Sequence, residues 1–280
     1  MPLDQIDLND DYEVAQEKNM TFMGHLEELR WNLLRSIIAI FVFFIIAFIA
    51  YRILFNKIIF GPLNADFPTY KLLCYISENI GIGDTFCVSD IDIPLQITTF
   101  LGEFLTHLKV SFVAGFIVAF PYIIFEIWRF VRPALQKKER RYAKGLIFFC
   151  SLLFFTGVCF GYFVISPFTI NFVANYNVIA DAKTDIHLGS YISFMTSVVI
   201  ASGIMFEMPI FAYFFSKLGI LTPQFLKTYR KHAVVVMLVL SAIVTPPDVF
   251  SQVLLSMPLY FLYEVSILIS AKVNKNIDND

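Results

Sequence analysis

Apolar residues in this chain gather into long runs, and the lengths of those runs set the first expectation. A bilayer core about 30 Å thick is crossed by about 20 apolar helical residues. Four runs reach that length, at about 31–54, 108–131, 143–166 and 191–217. Two shorter runs, 232–245 and 251–271, are separated only by Pro246, Pro247, Asp248, Val249 and Phe250. Neither short run carries a water-facing polar stripe, so the pattern predicts six transmembrane helices and an all-α polytopic membrane protein. The fifth span is short: at 1.5 Å per residue it reaches only about 21 Å. Thr245, Pro246, Pro247 and Asp248 are then expected at depth, where the bilayer must thin or the protein must shelter the turn.

Composition supports this reading. Hydrophobic residues make up 58% of the 280 and charged residues 16%, with a mean hydropathy of +0.69. Such a chain cannot solvate itself as a soluble globule. A net charge of -2 gives no reason to expect nucleic acid. The placement of charge matters more than its sum. Arg129, Arg132, Lys137, Lys138, Arg140, Arg141 and Lys144 lie between spans two and three, and Lys217, Lys227, Arg230 and Lys231 between spans four and five. The opposite connections are nearly free of basic residues, with only Lys183 between spans three and four. Positive charge marks the cytoplasmic side, so both termini are expected there, with a long external loop over 55–107. Residues 1–19 hold six acids against Lys18. They read as an acidic disordered cytoplasmic tail without the basic start of a secretory signal. The membrane domain is expected over 20–272, with 273–280 as a second cytoplasmic tail.

Ionisable groups within spans are costly and ask for a reason. Glu207 lies deepest. Glu126 and Glu264 fall nearer span ends, where an acid either faces the bundle or snorkels to the interface. Glu28, in His25-Leu26-Glu27-Glu28-Leu29-Arg30, and Glu139, in the run 132–141, oppose the basic bias of the same face. Two carboxylates there could receive two guanidiniums as bidentate pairs, a geometry that lysine cannot supply. Cys150 and Cys159 lie in an apolar run and are expected as small core residues. His25, His107, His187 and His232 are scattered, and no nucleophile–base or metal-ligand signature occurs. Neither an enzyme nor a cofactor or metal site is therefore expected. A proton-coupled small-solute transporter using Glu207 is the main rival reading, although no repeat relates the two halves.

The stretches HLEELRWNLLRS, AFPYIIFEIWRFVRPALQKKERR, GIMFEMPIF and VTPPDVFSQVLLSMPLYFLYE resemble, in order and in position, the diagnostic segments of the TatC family. The resemblance covers about Met20 to Lys272. It implies a concave, glove-shaped bundle in a bacterial inner membrane, acting as the receptor of the twin-arginine export system. The implied partners are twin-arginine signal peptides of folded cargo, single-span TatA/TatB-type subunits and further copies of the chain, with transport driven by the proton-motive force. It implies that Glu28 and Glu139 receive the paired arginines, beside Arg30 and Phe130, and that Glu207 is the buried acid of span four. Thr245, Asp248 and Gln252 correspond to a partner-docking region, and Pro62 to a structural proline after span one. The chain departs from the family in its acidic N-terminal extension and in an insertion at about 64–92. Cys74 and Cys87 within that insertion form either a loop disulfide or two free thiols, and an oxidising compartment favours the bridge.

Overall fold

The computed structural model describes residues 22–80, 95–131, 143–175, 186–245 and 249–277. Ten helices carry the architecture among these residues. Helix α1 is Phe22–Ile49, α2 Pro68–Ile80, α3 Gly102–Val131, α4 Ala143–Phe160 and α5 Ser166–Asn175. They are followed by α6 Leu188–Phe206, α7 Met208–Lys217, α8 Pro223–Thr228, α9 Arg230–Val244 and α10 Val249–Ile277. Strands β1 (Leu95–Gln96) and β2 (Ile186–His187) form a parallel pair. Five helical stretches are long and apolar enough to cross a membrane: 26–49, 102–131, 145–174, 188–217 and 251–275. The sixth apolar helix, α9, has 15 residues and reaches only about 22 Å.

In lipid the hydrophobic effect does not drive helices together, so close packing and hydrogen bonds must do so. Helices α1 and α3 run antiparallel. The His107 ring stacks on Phe48 with centroids 3.9 Å apart, and its Nε2 lies 3.1 Å from the Phe48 carbonyl. Further along, Gly115 lets the α1 backbone approach so closely that a Cβ there would sit 2.6 Å from the Phe44 nitrogen. A second close crossing joins α4 to α6, where a Cβ on Gly157 would meet the Ser202 carbonyl at 2.5 Å. Helices α7 and α9 pack on α10, around a core that includes Phe206, Met237, Leu255 and Leu259.

After α1 the chain does not enter an open loop. A π-helical segment, Leu54–Ile59, leads into a 3₁₀ turn, Gly61–Leu63. Three tyrosine hydroxyls from distant elements hold this segment. Tyr191 donates to the Ile59 carbonyl at 2.6 Å and Tyr162 to the Ile58 carbonyl at 2.7 Å. The Tyr70 hydroxyl lies 3.0 Å from the Pro62 carbonyl and 3.1 Å from that of Pro167. Burial pushes the Tyr70 hydroxyl above its ordinary pKa, so it stays protonated and able to donate under alkaline conditions.

Two expectations change. The region 55–107 contains α2, whose proline at the first helical position suits a helix start. Cys159 is exposed, while Cys150 is buried. Position 159 falls on the outer side of α4, away from the glycine face that meets α6. Cys74 is disulfide-bonded; its expected partner, Cys87, lies outside the described residues.

Replacing Tyr191 or Tyr70 by Phe removes a buried donor. Each change is expected to cost about 1 kcal/mol, read as a lower Tm in detergent. Tyr75→Phe, at a residue 66% exposed, should leave Tm unchanged.

Candidate functional site

Span four is broken where its acid lies. Helix α6 ends at Phe206 and α7 starts at Met208, with Glu207 between them at φ -73 and ψ -5. Pro209 in the first turn of α7 has no N–H to continue the helical ladder. The break leaves the Glu207 backbone satisfied. Its N–H donates to the Ile204 carbonyl at 3.1 Å, and its carbonyl accepts from Ile210 at 2.9 Å and Phe211 at 3.1 Å. The side chain is 5% exposed and faces α4, where the Cys150 thiol donates to Oε2 at 3.0 Å. Oε1 has no hydrogen-bond partner.

This carboxyl opens onto a cleft of about 420 Å³ between α3, α4, α6 and α7, lined by Phe120, Ile124, Trp128, Cys150, Ile204 and Phe214 among others. The stacked rings of Phe120 and Phe154, 3.5 Å apart, close one side. The polar exceptions in this apolar cleft include the Glu207 carboxyl and the indole of Trp128, whose Nε1 is also buried without a partner. The cleft therefore suits an apolar segment with one polar anchor.

Glu126 lies elsewhere on α3. It is 2% exposed, which settles the choice between burial and snorkelling. The Tyr122 hydroxyl, one turn earlier, donates to its Oε1 at 2.8 Å, and Oε2 is unpartnered. Facing α3, helix α1 buries Asn32 and Ser36; Ser36 Oγ donates to the Asn32 carbonyl at 2.9 Å, while Asn32 Nδ2 has no partner. The register fixed by Phe48–His107 and Phe44–Gly115 brings Asn32 level with Glu126 to within about one helical turn. The same register brings Glu28 and Phe130 to one end of the α1–α3 pair. Glu28 is half-buried, with a shielded and unpartnered Oε2. Phe130 is half-buried and Arg30 exposed. Glu139 lies outside the described residues.

Glu264 takes a different course. It accepts from Arg230 Nη2 at 2.7 Å and from the Tyr260 hydroxyl at 3.1 Å. At the far end of the α9–α10 pair, Thr245 donates to the Ser241 carbonyl at 2.9 Å and Gln252 Nε2 to the Leu238 carbonyl at 2.9 Å. Asp248 lies outside the described residues. Pro62 is buried beneath Tyr70. Among the described residues no His, Cys, Asp and Glu cluster could hold a metal ion.

Sequence reasoning missed Cys150 as the partner of Glu207, which only the α4–α6 crossing reveals. It also missed Tyr122, Asn32 and Ser36, although their spacing gave a signal. Tyr122 and Glu126 lie four residues apart, as do Glu28, Asn32 and Ser36, and i,i+4 spacing aligns side chains on one helical face.

Comparison with known proteins is consistent along nearly the whole chain. Residues 24–258 match the family model of the Sec-independent protein translocase protein TatC. The chain is 38% identical to the TatC of a Blattabacterium species over 264 residues, covering 94% of this chain and 99% of that one. It is 39% identical to the TatC of Campylobacter jejuni over 250 residues, covering 89% and 93%. The fold matches a crystal structure titled as the twin arginine translocase receptor TatC in the detergent DDM. The TM-score is 0.70 at 34% identity, covering 88% of this chain and 99% of that one. A second crystal structure of the receptor matches with a TM-score of 0.65 at 33% identity. With its apolar spans, its broken fourth span and this agreement in sequence and fold, the chain is a multi-pass membrane protein and belongs to the TatC family of Sec-independent protein translocases.

Proposed function

We propose that this chain is the receptor subunit that binds twin-arginine signal peptides and starts their export. The observation that carries the reading is the shielded Glu28 oxygen without a partner, set at the α1–α3 end that leads into a strongly basic connection. A carboxylate in a basic surface is an acceptor for a donor with planar, paired N–H groups. Arginine forms two parallel bonds to it where lysine forms one. Glu139 supplies the second carboxylate, and Arg30 and Phe130 flank the pair. The apolar part of the signal then enters the cleft past Glu207.

The rest of the reading concerns assembly. The chain sits in the bacterial inner membrane with both termini in the cytoplasm, as its short basic connections favour. Single-span subunits of the TatA/TatB type dock near Thr245, Asp248 and Gln252, and copies of the chain associate with one another. The proton-motive force drives the transport step. Thr245 and Gln252 are already internally hydrogen-bonded, so docking there draws on exposed apolar neighbours such as Val249 and Ile243.

With a photocrosslinker at exposed Leu29, Glu28→Ala and Glu139→Ala should each lower crosslinking to a twin-arginine signal peptide by about tenfold. A Lys-Lys peptide should lose crosslinks to a similar degree, and unchanged yields for both variants would refute the site. Glu207→Leu should leave that surface crosslink intact yet abolish export of a twin-arginine reporter. Normal export by Glu207→Leu would remove the buried acid from the pathway.

A further inference from the structure

A second cleft, of about 400 Å³, lies where α3 and α6 begin, beside the β1–β2 pair. It shares no lining residue with the Glu207 cleft. Lys109, His187, Gln96, Thr99, Ser190 and Ser193 give it a polar, cationic lining, and among the described residues no acid contributes to it. Lys109 Nζ donates to Ser193 Oγ at 2.9 Å. An ammonium carries three donors, and among the described residues no carboxylate pairs with this one. Glu103, the nearest acid in sequence, does not line the cleft.

Lys109 is exposed at the outer end of the second span, so its ammonium is open to an anion. It sits seven residues into α3, about 10 Å along the axis, on a helix that crosses the membrane. A lysine at a span end extends its ammonium to the interface, where lipid phosphates lie. Helix α6 adds to the positive potential, because His187 at its N-cap makes no side-chain capping bond. The positive end of the helix dipole, with the first-turn residues Gly189 and Ser190, therefore borders the same cleft.

The surroundings decide which anion fits. Leu105 lines the cleft, and Phe100, Leu101 and Phe104, interleaved in sequence with its lining residues Thr99, Gly102 and Leu105, are apolar and exposed, Phe100 fully so. A free inorganic anion makes no use of such a rim, whereas acyl chains do. The described lining carries Lys109 and no acid, so it favours an anionic head group over a choline or ethanolamine cation. We propose that this cleft binds the phosphate of an anionic membrane phospholipid, with Lys109 as the principal contact and Ser193 orienting its ammonium. The lipid holds the starts of α3 and α6 together.

Native mass spectrometry of the full chain released from micelles tests this, with dioleoyl phosphatidylglycerol, dioleoyl phosphatidylcholine and inorganic phosphate as probes. One phosphatidylglycerol should remain bound per chain, about tenfold tighter than phosphatidylcholine. Lys109→Gln should reduce it to the phosphatidylcholine level, and Lys109→Arg should retain it. Inorganic phosphate in excess should not displace the lipid. Equal retention of the two lipids by the native chain would overturn the proposal even if Lys109→Gln failed to fold. So would unchanged phosphatidylglycerol binding by Lys109→Gln. Full displacement by inorganic phosphate would overturn it too, by assigning the cleft to a free anion.

Discussion

A polar group within a bilayer has no water to turn to, so its partners must come from the protein itself. Glu207 is where this chain meets that constraint most severely, and the arrangement of four helices follows from it. The acid is placed at a break between α6 and α7 rather than on a continuous helix. Pro209 makes the break, and the backbone amide and carbonyl of Glu207 remain bonded across it. The side chain needs a donor within reach, and Cys150 provides one from α4. That contact requires α4 and α6 to approach closely, which Gly157 and Ser202 permit. Bulky aromatic residues then line the space the break leaves beside α3, and the outcome is an apolar cleft holding one anchored carboxyl.

The same rule explains the ends of the bundle. Where the chain leaves α1 through a π-helical segment, tyrosines from α2, from the π-helical turn between α4 and α5, and from α6 satisfy its carbonyls. Where α9 is too short to cross, Thr245 and Gln252 return their donors to the carbonyls of α9 itself. In contrast, Glu28, Glu126 and Glu207 each keep one buried oxygen without a partner. Satisfied groups mark structural joints in this protein. The unpartnered ones mark positions where a further donor would gain most, since leaving a buried acceptor unpaired costs about 1–3 kcal/mol.

Much of this was legible from the sequence, and the reason is physical. Span length and hydropathy are one-dimensional properties, so the runs that contain α1, α3, α4, α6 and α10 could be read directly. The shortness of α9 followed from its span and its Pro-Pro turn. Glu207 stood out because a carboxylate in an apolar run has few bland explanations. What was hidden depends on which helix faces which. Cys150 looked like an ordinary small core residue until α4 met α6, and Cys159, nine residues later, proved to lie on the outer surface. Helix α2 was overlooked because it lies within a polar connection, although Pro68 and its apolar positions could have signalled it. Tyr122 and Asn32 were overlooked for a different reason. Tyr122 is bonded one turn away within its own helix and Asn32 Nδ2 has no partner, and the acids nearby drew all the weight.

In the proposed function the cleft beside Glu207 receives the apolar segment of a bound signal peptide. Disulfide crosslinking from two matched positions tests this directly, in a chain carrying Cys150→Ser, which keeps a donor to Glu207, and Cys159→Ser. Ile204 and Leu152 are both 48% exposed, but only Ile204 lines the cleft. With a cysteine in the apolar segment of the peptide, Ile204→Cys should crosslink and Leu152→Cys should not. Crosslinks from Leu152→Cys alone, or equally from both positions, would contradict it.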